Sequence, residues 1–163
     1  MHPLFSLKDQ VAFITGAGSE QGIGFAAAKI LAELGAQVAI TATTERIHER
    51  ADTLRAISPK VQSYICDLTD REACKALIES VEADFGKIDV LVNNAGMSMV
   101  GSPEVYDVFH KTKDEDWDTG IERNLTTCYN VTRGVIPGMV ARGYGRVVNV
   151  SSVTGPLVSN AGE

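Results

Sequence analysis

Short apolar runs alternate along the chain with longer stretches whose apolar residues recur every three or four positions. That alternation marks β-α-β units around a parallel sheet, with strands buried on both faces and helices as the crossovers. Residues 11–15, 37–41, 61–66, 90–93 and 146–150 read as five strands. The helix after the first strand presents Ile23, Ala27, Ile30, Leu31 and Leu34 as its apolar face and ends at Gly35, a residue suited to a left-handed C-terminal position. The second helix carries Ile47, Ala51 and Leu54 and stops before Pro59. The third opens at Thr69-Asp-Arg-Glu72, a capping box, turns Ala73, Leu77, Val81 and Phe85 inward, and closes at Gly86. An irregular segment follows from Gly96 to about Thr112. A second capping box, Thr112-Lys-Asp-Glu115, then starts a long helix with Trp117, Ile121, Leu125, Cys128, Val135 and Met139 as its stripe. Pro137 and Gly138 are expected to kink its last turns. No repeat, low-complexity tract or linker interrupts this order, so one domain over residues 1–163 is expected.

Composition adds exclusions. Hydrophobic residues make up 44% and charged residues 22%, ordinary for a globular domain. The net charge is −6 and no Lys/Arg cluster stands out, which argues against nucleic acid and anionic membrane as partners. No run approaches the ~18 apolar residues of a membrane span. The first residues lack the apolar core of a secretion signal, so a cytoplasmic location is expected. Cys66, Cys74 and Cys128 form no C-x-x-C pair, and His2, His48 and His110 are scattered. Reduced thiols and no metal site are therefore expected.

The candidate chemistry sits where strands end. Thr15-Gly-Ala-Gly-Ser-Glu-Gln-Gly-Ile-Gly24 joins the first strand to a helix and includes Gly16, Gly18, Ser19, Gln21, Gly22, Ile23 and Gly24. Such a turn lets backbone N–H groups approach a pyrophosphate at the positive helix end; an ordinary tight β-α turn is the simpler alternative. Asp67 and Leu68 follow the third strand, where a carboxylate can accept a hydrogen bond from an adenine amino group or simply shape the turn. Asn93-Asn94-Ala95-Gly96 follows the fourth strand, and its small residues allow close approach of a ribose, while its asparagines could equally knit neighbouring loops. Ser151 and Ser152 follow the fifth strand, where a hydroxyl could donate to a substrate carbonyl and stabilise developing oxyanion charge.

In this order the motifs resemble those of the short-chain dehydrogenase/reductase family, and within it most the 3-oxoacyl-carrier-protein reductases. The T-G-x(3)-G-x-G-like turn, Asp67, the N-N-A-G run, Ser152 and an Asn in Glu122-Arg-Asn124-Leu125 all match, over essentially the whole chain. One departure is that five residues, not three, separate Gly16 from Gly22, which leaves open which amides meet the pyrophosphate. The resemblance implies an α/β fold of Rossmann type: a doubly wound parallel sheet of about five strands in three α-β-α layers, incomplete at its C-terminus. It implies an NAD(P)-dependent oxidoreductase acting on a small carbonyl or alcohol substrate, with Ser152 and Asn124 as catalytic residues. Cofactor contacts would come from the glycine turn, Asp67, Leu68, Asn94, Ala95, Gly96 and the end of the second strand. There Thr43, Thr44 and Arg46 replace the acidic residue that would hold the 2′-hydroxyl of NAD, which favours NADP over NAD.

The family's proton exchange rests on a Tyr-x-x-x-Lys pair about a dozen residues beyond the serine, and the sequence ends 11 residues after Ser152. Four residues after Tyr64, Tyr106, Tyr129 and Tyr144 stand Leu68, His110, Arg133 and Val148, so no substitute pair is present. The expectation is an incomplete copy with turnover near background, its fifth strand an exposed apolar edge, and homo-oligomeric if completed. A non-catalytic NADP-binding module that assembles with a partner chain is the alternative. Residues 97–113 could line one wall of a substrate site or pack as a surface loop.

Overall fold

A computed structural model of the chain describes residues 5–96 and 109–152. Five strands, β1 (Val11–Thr15), β2 (Gln37–Ala42), β3 (Val61–Ile65), β4 (Val90–Asn93) and β5 (Arg146–Asn149), form one all-parallel sheet in the order β3-β2-β1-β4-β5. The strands fall where the apolar runs place them. The helices are α1 (Ile23–Glu33), α2 (Arg46–Arg55), α3 (Arg71–Phe85), α4 (Asp114–Ile121) and α5 (Thr127–Arg142), with a 3₁₀ turn at Phe109–Lys111 and a π-helical turn at Glu122–Thr126 joining α4 to α5.

Alternation along the strands builds two cores. Ala12, Ile14, Val38, Ile40, Val90 and Val92 face α1 and α2, where Phe25, Ala28, Ile47 and Leu54 meet them. Phe13, Ala39 and Leu91 face the opposite side, against Leu77, Ile78 and Val81 of α3 and Val131, Val135 and Met139 of α5. This is the expected three-layer architecture: each strand side chain set buries on one side by its period of two, and each helix covers one side by its period of 3.6. Asp89 pins the start of β1 to β4. Its buried carboxylate accepts the Val11 N–H at 2.9 Å and pairs with Lys87 at 2.9 Å.

Three expectations about the helices need correction. In α1 the buried residues are Gly24, Phe25, Ala28 and Ala32, while Ile23 is 67% exposed and Ile30 faces outward. Small residues at four-residue spacing let the helix backbone approach the sheet, so the phase of the stripe follows fit rather than side-chain size. In the long helix, Trp117, Ile121 and Leu125 are exposed, whereas Val135 and Met139 are buried as expected, together with Thr127, Asn130 and Val131. α4 and the π turn bury no residue, and the buried face begins only in α5. The break in α-helical hydrogen bonding falls at this turn, and α5 continues through Pro137. The capping boxes also shift: α4 begins after Lys113 without a side-chain cap, and the cap of α3 is Asp70, not Thr69.

Asp70 Oδ1 accepts the N–H groups of Glu72 at 2.9 Å and Ala73 at 3.0 Å. Asp70→Ala is expected to cost about 1 kcal/mol, read as a lower urea midpoint at unchanged slope. An unchanged midpoint would show that the α3 N-terminus is held by tertiary packing alone.

Candidate nucleotide-binding site

All five strands run the same way, so their C-terminal ends open on one edge, and the loops leaving β1 to β4 meet there. A single hydroxyl organises two of them. Thr15 is fully buried, and its Oγ1 accepts the N–H groups of Asn94 and Ala95, both at 3.0 Å. Asn94 answers from the other side, donating from Nδ2 to the carbonyls of Thr15 and Gly16 at 3.1 Å each. Gly16 takes φ +68°, and a Cβ on it would lie 2.8 Å from Ala95 Cα. Only a glycine lets the two loops touch in this way.

Around these loops lies a cleft of about 490 Å³, lined from β1 by Gly16, Gly18 and Ser19. The β2 end contributes Ala42, Thr43, Thr44 and Arg46; the β3 end contributes Cys66, Asp67, Leu68 and Thr69; the β4 end contributes Ala95 and Gly96. Asp67 is shaped locally, its Oδ1 accepting from Thr69 N at 3.0 Å and Thr69 Oγ1 at 2.8 Å. Arg46 opens α2 and donates through Nε to Thr44 Oγ1 at 3.4 Å. No acidic side chain stands at the end of β2. The nearest, Glu45, is exposed and turned to His48, 3.2 Å away. Burial, with Asp67 and Asp70 nearby, pushes the Cys66 thiol up to about 11, so it stays protonated at neutral pH.

The remaining sequence-predicted residues support the cleft or stand apart from it. Gly24 lets α1 start against the loop, since a Cβ there would sit 2.7 Å from the Gly16 carbonyl oxygen. Gly22 packs on Ser19, whereas Gln21 and Ile23 point to solvent. Asn124 lies in the π turn, with Nδ2 donating to the Gly120 carbonyl at 3.0 Å and Oδ1 close against Gly96. Ser152 is exposed just past β5, and Val150 N donates to the Asn93 carbonyl at 2.8 Å, keeping that segment beside the β4 loop. Neither Asn124 nor Ser152 lines the cleft. Asn93 does the knitting expected of it, donating to Thr132 Oγ1 at 2.8 Å and Asn149 Oδ1 at 2.9 Å. Tyr129 and Arg133 pair with each other at 2.8 Å, exposed on α5 and away from the cleft. Tyr106 and most of the 97–113 segment lie outside the described residues.

Sequence reasoning missed one wall. Thr119, Glu122, Arg123 and Thr127 of the long helix complete the cleft. Their polar spacing of three, one and four residues was the available signal. Asn130 was missed too. Buried in α5, it donates to the carbonyls of Leu68 at 3.0 Å and Thr69 at 3.3 Å, fixing the β3 loop.

Among the described residues no group of His, Cys, Asp or Glu is arranged to hold a metal, and no helix is long and apolar enough to cross a membrane. The three cysteines are free.

Comparisons with known proteins agree with this geometry. Residues 10–162 match the family model for short chain dehydrogenases. The 3-oxoacyl-[acyl-carrier-protein] reductase FabG of Thermotoga maritima is 38% identical over 158 residues, which is 96% of this chain and 61% of that protein. The chain spans about three fifths of the length of the curated relatives it matches. Among solved structures, a metagenomic short-chain oxidoreductase in complex with NADP superposes with TM-score 0.78 at 37% identity, over 90% of this chain and 63% of the other. An NAD⁺-bound xylitol dehydrogenase superposes with TM-score 0.85 at 31% identity, over 95% and 57%.

Proposed function

The chain belongs to the short-chain dehydrogenase family, and from that premise we propose that it forms the dinucleotide-binding part of an NADP-dependent carbonyl reductase whose substrates are 3-oxoacyl thioesters of a carrier protein. The observation that carries the reading is the convergence of the glycine turn, Thr43, Thr44, Arg46, Asp67 and the β4 loop on one cleft. Its lining suits an adenosine diphosphate: amides of the turn for the pyrophosphate, Asp67 and Leu68 for the adenine, and Asn94, Ala95 and Gly96 for the ribose side. When bound, the nicotinamide supplies hydride to the substrate carbonyl carbon. Ser152 donates a hydrogen bond to the carbonyl oxygen, which takes a proton from water as the hydride arrives, and Asn124 holds the π turn against Gly96 at the edge of the cleft. Assembly as a homo-oligomer in the cytoplasm completes the proposal.

Selectivity between cofactors rests on the β2 end. Solved relatives bind NADP in one case and NAD⁺ in another, so the choice lies in this chain's own residues. With Glu45 held toward His48, the end of β2 offers two hydroxyls and a guanidinium, which attract a ribose 2′-phosphate. Calorimetric titration is expected to show NADPH binding at least tenfold tighter than NADH. Arg46→Ala is expected to lower NADPH affinity about tenfold and leave NADH unchanged, the effect of one charged hydrogen bond at a partly exposed site. Equal affinities in the parent chain would overturn the NADP assignment, and no binding of either nucleotide would overturn the whole reading.

A further inference from the structure

The glycine turn is two residues longer than the family's usual spacing, and the extra length has a defined place. Gly22 N–H donates to the Ser19 carbonyl at 3.1 Å, which makes Glu20 and Gln21 the two middle residues of a β-turn. The cleft is lined by Gly16, Gly18 and Ser19 but not by these two. The insertion therefore leaves the cleft's inner surface in place and carries a carboxylate on its tip.

That carboxylate has a specific counterpart. Arg50 of α2 brings Nη1 to 3.5 Å from Glu20 Oε2, and Nη2 to 2.7 Å from Glu49 Oε2. The Arg50 side chain is only 13% exposed, against 78% for Glu20, and its guanidinium lies 5.6 Å from the centre of the Phe25 ring at the start of α1. A cation clamped between two helices and an aromatic face has already lost its side-chain freedom, so it can hold a mobile partner at little further cost in entropy. It ties Glu20 to α2, and Glu20 is absent from the residues that line the cleft.

We infer that Arg50 is a positioning residue for phosphate binding: its guanidinium, shared with Glu49, holds Glu20 toward α2, so that the lengthened turn presents its amides and not a carboxylate to an anionic ligand. The inference rests on the cofactor reading above. An exposed ion pair contributes little to stability; its effect here is on the field at the phosphate. Glu20 one residue from the lining would repel a pyrophosphate if left unpaired, and the repulsion is screened by salt.

The test is titration of NADPH, ADP-ribose and adenosine into the parent chain, Arg50→Met, Glu20→Gln and the double variant, at low and physiological salt. Arg50→Met is expected to weaken NADPH and ADP-ribose about two- to fivefold and to leave adenosine unchanged, the range for one partly exposed charge. Adding Glu20→Gln is expected to restore affinity, Glu20→Gln alone to cause no loss, and raised salt to shrink the difference. An equal loss for adenosine, or no rescue in the double variant, would mean that Arg50 acts only by packing on Phe25, and the inference would fall. Hydrogen exchange at the Gly22 amide in the ligand-free protein gives a second readout, expected to quicken in Arg50→Met while β1 amides stay protected. If the parent chain bound no NADPH, the cofactor reading would fall and exchange would decide the tether; unchanged exchange would refute it.

Discussion

Gly16→Ala is expected to abolish dinucleotide binding and to lower stability by about 2–4 kcal/mol. Two costs combine. The residue takes φ +68°, a conformation that any side chain resists. Its new Cβ would also lie 2.8 Å from Ala95 Cα and 2.9 Å from Ala95 N, and both are backbone atoms with no rotamer to yield. Relief requires the β1 and β4 loops to separate, which moves two of the four strand ends that line the cleft. A control isolates the two costs: Gly86 has φ +80° with nothing within 4 Å of an added Cβ, so Gly86→Ala meets backbone strain alone. It is expected to lose about 1 kcal/mol and to bind NADPH normally. Thermal unfolding and calorimetry on the two variants make the comparison. Gly16→Ala retaining NADPH affinity within about threefold of the parent would show that the loop contact is not needed for the ligand.

Thr15→Val should be the most costly isosteric change near the site, at about 2–4 kcal/mol. The shape is conserved, but Oγ1 is the acceptor for two amides, those of Asn94 and Ala95, and it also donates to the Val92 carbonyl at 3.4 Å. Replacing it with a methyl group strands two N–H donors beside a side chain that is fully buried. Thr15→Ser keeps the oxygen and is expected to cost less than half as much. Urea denaturation reads the stability, and amide exchange at Asn94 and Ala95 reads the cause. If valine and serine proved equally mild, the bonds through Oγ1 would not be what joins these loops.

Much of this was legible in the sequence. The central strands β1, β2 and β4 are largely apolar runs, and burial on both faces of a parallel sheet leaves little freedom in where such a run begins and ends. The glycine turn, Asp67 and the N-N-A-G run could be read as a site because each directly follows a strand, and parallel strands deliver such positions to a common edge. The extra turn residues were visible as a count, but not their arrangement. That depends on the Gly22–Ser19 bond and on the Arg50 guanidinium, 30 positions from Glu20 in the chain.

Helix faces were less legible. Periodicity in α1 is real, yet two phases satisfy it, and choosing the bulkier residues selected Ile23 and Ile30 over Gly24, Ala28 and Ala32. In the long helix the stripe held beyond the π turn, where Val135 and Met139 are buried, and failed before and within it, where Trp117, Ile121 and Leu125 are exposed. The remaining wall of the cleft lies on that same helix, which is why Thr119, Glu122 and Arg123 were passed over.

What the sequence determined by itself was the set of strands, their parallel order of crossovers and the identity of the loops at their ends, because these follow from local pattern and short-range sterics. What only the tertiary structure decided was the phase of each helix, the joining of the β1 and β4 loops through Thr15 and Asn94, and the support of the β3 loop by Asn130. Those depend on how closely two backbones can approach and on which buried donors find acceptors. Both are properties of residues far apart in the chain, and they take definite values only once the sheet has brought those residues together.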